Sequence, residues 1–170
     1  AAALPEGTFA GQVVLVTGGA RGQGRAHALA SAQEGADVVI VDRVADVSSV
    51  PYPLATEEEL RATAADVEAL GRRALTFVGD VRSSATLNHV VSTTIDTLGR
   101  IDAVDANAGI WATATLWELS EDDWQETLDI NLTGVWKTIK AVVPHMIERG
   151  SGSIVVTASV DAVESGGSYA

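Results

Sequence analysis

The stretch Val13-Val14-Leu15-Val16-Thr17-Gly18-Gly19-Ala20-Arg21-Gly22-Gln23-Gly24 decides the fold class. Its first half is a short apolar run rich in β-branched residues, which reads as a buried strand. Its second half has the spacing T-G-x-x-x-G-x-G, with Arg21 and Gln23 between the later glycines. A helical pattern follows from Arg25 to Glu34, with Gly35 as its C-cap. Glycines allow a tight turn and close approach of backbone to a ligand, and the free amides of a helix start attract anionic oxygen. A glycine turn entered from a strand and left into a helix is the context that pyrophosphate binding requires.

Four more apolar runs repeat the strand pattern downstream. Val38 to Val41 ends on Asp42, and Ala74 to Val78 ends near Asp80. Ile101 to Ala106 leads into Asn107-Ala108-Gly109, and Ser153 to Thr157 leads to Ser159. Helical segments lie between them. Arg43 to Thr56, with Pro51 and Pro53, reads as a loop, and Thr56 with Glu59 then forms a capping box before the stripe Leu60, Ala64, Val67 and Leu70, which Gly71 stops. A second capped helix buries Leu87, Val90, Val91, Ile95 and Leu98. Ser120 and Asp123 cap a long helix with the stripe Trp124, Leu128, Asn131, Val135, Ile139, Val142 and Met146, in which Pro144 bends the last turns.

Alternating strands and helices with continuous apolar strands predict a parallel sheet covered on both faces, a doubly wound α/β fold. Right-handed crossovers give the strand order 3-2-1-4-5. Residues 12–170 then form one dinucleotide-binding domain behind an extension at 1–11. In such sheets ligands collect beyond the carboxyl ends of the strands. Gly18, Asp42, Asp80, Asn107 and Ser159 all fall there.

Each of these positions suits a nucleotide. A carboxylate at Asp42 can accept both hydroxyls of an adenosine ribose and repels a 2′-phosphate, which favours NAD over NADP. Arg21 and Arg43 pull the other way, since either could reach a 2′-phosphate. Asp80 and Val81 suit an adenine edge, with Asp80 as a helix N-terminal charge the plainer alternative. Asn107-Ala108-Gly109 offers small residues where a cofactor lies against backbone, or else a simple turn. Asn131 interrupts an apolar stripe, so its amide needs a water or a main-chain partner. Trp124 and Trp136 read as packing residues, Trp117 has no assignment, and Trp111 suits a substrate-pocket wall.

Composition narrows the classes. The 170 residues carry a net charge of −12, which argues against nucleic-acid and anionic-membrane partners and keeps the chain soluble. There is no cysteine, so disulfides and thiolate metal sites are excluded, and the three histidines lack metal-ligand spacing. No run has the length of a membrane span and the start lacks a secretory pattern, so the expected place is the cytoplasm.

Taken together, Thr17 to Gly24, Asp42, Asp80-Val81, Asn107-Ala108-Gly109, Asn131 and Ser159 resemble the short-chain dehydrogenase/reductase family, built on a Rossmann sheet. The segments Val50 to Thr56 and Val67 to Arg73 are similar to the insertion of its mycofactocin-associated, carveol-dehydrogenase-like subgroup. The resemblance implies oxidation of a secondary alcohol, or reduction of the matching ketone, with tightly held NAD. It also implies a homo-oligomer, expected to be a tetramer. A tyrosine assisted by a lysine would take the hydroxyl proton, Ser159 would orient the substrate oxygen, and Asn131 would hold a water.

The sequence departs from the family pattern at its end. Tyr169 lies closer to Ser159 than the family spacing, and Ala170 follows it. Either Tyr169 is the catalytic tyrosine or that residue lies further on. The lysine of Y-x-x-x-K is not in these residues, and neither are the last strands and helices of the family. Ile154 to Thr157 would then form an uncovered apolar edge, which points to a longer protein. A dinucleotide-binding module without turnover is the competing reading.

Overall fold

The computed structural model describes residues 7–160. Five parallel strands stand in the order β3-β2-β1-β4-β5, as the motif positions predict. They are β1 (Val13–Thr17), β2 (Asp37–Asp42), β3 (Ala74–Val78), β4 (Ala103–Ala106) and β5 (Ser153–Val156). The helices are α1 (Gly22–Gln33), α2 (Glu57–Ala69), α3 (Ser84–Leu98), α4 (Glu121–Leu128) and α5 (Val135–Arg149), with a π-helical turn at Asp129–Gly134 joining the last two. In the register, Thr17 stands opposite Val41 and Ala106, and Ala106 opposite Val156. The strands therefore finish level, and the segments that follow them share one edge of the sheet.

Alternation along each strand divides the core into two layers. Val14, Val16, Val38 and Ile40 pack against Ala28 and Ala32 of α1 and Leu60 and Val67 of α2. Val13, Leu15, Val39, Val41 and Val104 face the other way, against Val90, Val91 and Leu98 of α3 and Val142 and Met146 of α5. A smaller cluster lies at the carboxyl edge, where Val47 and Val50 of the loop after β2 meet Val81, Leu87, Ile110 and Ile130. The capping box of α2 forms as expected, with Glu59 N–H donating to Thr56 Oγ1 and Thr56 N–H to Glu59 Oε2.

Two expectations change. Helix α1 begins at Gly22, not Arg25, so Gly22-Gln23-Gly24 forms its first turn and brings the helix start up to the end of β1. The long helix is not uniform. Its fully buried residues are Ile130, Gly134, Thr138, Val142 and Met146, and Val135 is partly buried against the core as expected, whereas Asn131, inside the π turn that departs from the 3.6-residue period, is exposed. Trp124 and Trp136 consequently do not pack inward; they are 46% and 54% exposed, and the Lys140 ammonium lies 4.7 Å from the Trp136 ring centroid. The edge strand matches its expectation: among the described residues its apolar side chains are uncovered. Ile154, Val155 and Val156 of the edge strand β5 are exposed.

Candidate functional site

A cavity of about 470 Å³ opens along the carboxyl edge of the sheet. Gly18, Arg21, Gly22, Gln23 and Gly24 line it from the first turn, and Asp42 and Arg43 from the tip of β2. Asp80 and Val81 follow β3, and Asn107, Ala108 and Gly109 follow β4. Residues predicted separately from four strand ends thus meet in one cleft.

Close packing shapes the floor. A Cβ on Gly24 would stand 2.1 Å from the Gly18 carbonyl oxygen, and Gly18 itself has a left-handed φ of +68°. Only glycine lets the helix start approach the strand end so nearly. The Asp42 carboxylate fixes the turn from the side, accepting Ala20 N–H at 3.0 Å and Val44 N–H at 3.2 Å. A carboxylate has lone pairs for further donors, so these contacts leave Asp42 able to accept hydroxyls in the cleft.

Thr17 and Asn107 act on the scaffold. Thr17 is buried and does not line the cleft; its hydroxyl accepts Asn107 N–H and Ala108 N–H, both at 3.2 Å. The Asn107 amide donates to the carbonyls of Thr17 at 3.0 Å and Gly18 at 3.3 Å, and its oxygen accepts the Thr157 hydroxyl at 3.3 Å. One side chain thereby ties the ends of β1, β4 and β5, leaving Ala108 and Gly109 as the open backbone.

Asp80 sits in a network of charge. Arg82 forks onto it with contacts from 2.7 to 3.1 Å, Arg43 Nε lies 3.3 Å away, and Arg82 Nη1 also donates to Glu126 at 2.8 Å. Burial pushes the Asp80 carboxyl up, but the hydrogen bonds and charge of Arg82, with Arg43 adding to them, outweigh it and hold the group below the usual carboxylate range. Arg43 is turned toward Asp80, and its Nη1 is buried without a hydrogen-bond partner among the described residues.

Asn131 lies in the π turn and, contrary to expectation, is exposed as a residue. Its amide still has main-chain partners: Nδ2 donates to the Ile110 carbonyl at 2.8 Å, and Oδ1 accepts Ile110 N–H at 2.9 Å. Ser159 follows β5 on the same edge and is exposed; it is not among the residues lining the cleft. Tyr169 lies outside the described residues.

The short chain dehydrogenase family profile matches residues 12–170. The chain belongs to the short-chain dehydrogenase family. It is 52% identical over 152 residues to a (-)-trans-carveol dehydrogenase of Rhodococcus erythropolis, covering 88% of this chain and 54% of that one. A carveol dehydrogenase of Mycobacterium avium, solved in complex with NAD, superposes with a TM-score of 0.93 at 42% identity, covering 96% of this chain and 60% of that one. A short chain dehydrogenase of Mycobacterium paratuberculosis bound to NAD gives 0.88 at 42% identity, covering 90% and 57%. The chain therefore spans about half the length of the curated relatives it matches. Among the described residues, no helix is long and apolar enough to cross a membrane.

The structure adds residues that sequence reasoning passed over. The loop after β2, read as a loop with a subgroup-like insertion at Val50 to Thr56 but given no site residues, contributes Ala45, Val47, Tyr52, Leu54 and Ala55 to the cleft. Its Ser49 N–H donates to Glu126 at 3.2 Å, and burial of Glu126 is outweighed by its Ser49 and Arg82 hydrogen bonds, which keep that carboxyl low. The apolar residues Val47, Val50, Tyr52 and Leu54 inside a proline-containing loop were the available signal that the segment packs against something.

Proposed function

We propose that the whole protein oxidises a secondary alcohol, or reduces the matching ketone, using NAD. The observation that carries this reading is the meeting of Gly18, Gly22, Gly24, Asp42 and Asn107 to Gly109 in one cleft. The cleft suits a dinucleotide on its own chemistry: a helix start with glycine at Gly22 and Gly24 for a pyrophosphate, a carboxylate for ribose hydroxyls, and apolar Val81 beside the adenosine end. Arg21, Gln23, Arg43 and Asp80 complete the proposed cofactor shell, with Thr17 holding its floor. The negative charge of Asp42 and the engagement of Arg43 with Asp80 favour NAD over NADP.

When bound, NAD supplies the hydride acceptor. The chain's own residues do the rest. Tyr169, ionised to the phenolate, takes the alcohol proton on its oxygen, and Ser159 donates a hydrogen bond to the substrate oxygen. Asn131 holds the Ile110 backbone at the substrate side of the cleft and retains a lone pair for a water.

Calorimetry of this chain with NAD tests the cleft, and stopped-flow absorbance of the whole protein with a panel of secondary alcohols tests the reaction. NAD binding and a nicotinamide reduction signal are expected. Binding without turnover across the panel would instead favour a dinucleotide-binding module.

A further inference from the structure

Two successive residues after β4 are each gripped by a side chain through both main-chain polar groups. Ile110 is held by Asn131, as described. Trp111 is held by Tyr52, whose hydroxyl accepts Trp111 N–H at 2.8 Å and donates to the Trp111 carbonyl at 3.2 Å. Asn131 and Tyr52 thus satisfy all four main-chain polar groups of these two residues with side chains, in place of a sheet partner. Tyr52 comes from the loop that leaves β2, two strands away from β4 in the sheet. That loop must span the mouth of β1 to reach Trp111, and both residues line the cleft.

We propose that Tyr52 is a positioning residue for the substrate end of the site: by clamping the Trp111 backbone it sets the Trp111 side chain as a wall of the alcohol pocket. The alcohol part rests on the functional reading above. The tyrosine ring packs against the apolar cluster that contains Val47, Val50 and Ile110, so removing only its hydroxyl releases the clamp while keeping the apolar contact. The loop has other anchors that survive this change, namely Ser49 to Glu126 and Leu54 N–H to Asp46 at 2.7 Å. NAD affinity and alcohol affinity should therefore separate.

The test uses the whole protein and Tyr52→Phe. Hydrogen exchange reads the clamp without turnover: the Trp111 amide should exchange at least tenfold faster in the variant, with the Ile110 amide unchanged. Equal exchange of Trp111 in both proteins overturns the proposal. With NAD saturating and carveol as probe, KM should rise about five- to 150-fold, the range expected for two lost hydrogen bonds, with kcat and the NAD dissociation constant within about twofold. In a Trp111→Ala background the same Tyr52 change should leave KM unaltered, since the wall it positions is gone. A weaker NAD affinity with unchanged carveol KM would make Tyr52 a cofactor latch and overturn the positioning role. A wild type that binds NAD but turns over no alcohol defeats the functional reading and the alcohol part with it, while the exchange rates still decide the clamp.

Discussion

The Asp42 carboxylate accepts the amide of Ala20 at 3.0 Å, so the tip of β2 holds the glycine turn of the neighbouring strand. One residue thus shapes the turn and presents charge to the cleft. Two substitutions separate those tasks. Asp42→Asn keeps an acceptor for Ala20 but removes the charge; it should lower the preference for NAD over NADP while changing the melting temperature little. Asp42→Ala removes both and should weaken NAD binding at least tenfold, about 1.5–3 kcal/mol for a charge-assisted hydrogen bond. Calorimetry with each dinucleotide measures this, and an unchanged cofactor preference in both variants would remove Asp42 from the ribose site.

Gly24→Ala should destabilise the fold as well as the cleft. The new methyl would meet the Gly18 carbonyl at 2.1 Å, and neither backbone can retreat without moving α1 from β1. The expected loss is about 1–3 kcal/mol or more, the range for forced overpacking. Urea denaturation of the variant measures it. A stability equal to wild type would mean that the helix start has room the geometry denies.

Those two residues mark what was legible in the sequence. A glycine turn between an apolar strand and a helix is dictated locally, by steric demands within a dozen residues, and the sheet order follows from chirality rules. Asp42 was legible because strand ends converge by topology. Tyr52 and Glu126 were not, because each acts through a partner dozens of residues away, and Arg82 was not, because its bond to Glu126 is equally remote although its fork onto Asp80 is local. The stripe through Asn131 was misplaced for a different reason: a constant 3.6-residue period fails where the helix widens.

Asp37, Asp80 and Asp102 make acid sensitivity predictable. In each, burial pushes the carboxyl up and arginine hydrogen bonds outweigh it, so each titrates below the ordinary aspartate range. A carboxyl whose folded pKa lies under its unfolded value stabilises the fold above about pH 4, and that stabilisation is lost as pH falls through the folded value. Asp102 has the richest set of partners, with Arg100 at 2.5 and 2.7 Å, Arg149 at 3.1 Å and Val13 N–H at 2.9 Å. Asp102→Asn should reduce stability at pH 7 by about 1.5–3 kcal/mol and flatten the decline between pH 5 and pH 2. Urea titrations across that range check it; matching acid slopes would show that Asp102 contributes nothing to the effect.

Asn131→Ala in the whole protein should release the Ile110 backbone and lower kcat about a hundredfold, the size of effect that a small misplacement produces. Asn131→Asp keeps the acceptor for Ile110 N–H but loses the donor to its carbonyl, so it should fall between the two. Steady-state kinetics with carveol and NAD distinguish this order, and an alanine variant with wild-type kcat would end the role assigned to Asn131.

The π turn at Asp129–Gly134 carries one consequence for how this helix tolerates change. A widened turn holds one residue more than its α-helical counterpart, and a single residue rotates a helix by about 100°. Above it, α4 has no buried residue, while below it α5 buries Thr138, Val142 and Met146. The buried face of this helix therefore begins only at the turn, with Ile130 and Gly134. Shortening the turn by one position would swing either α4 or α5 around its axis, so here the length of the chain, more than the identity of any side chain, is what the architecture constrains.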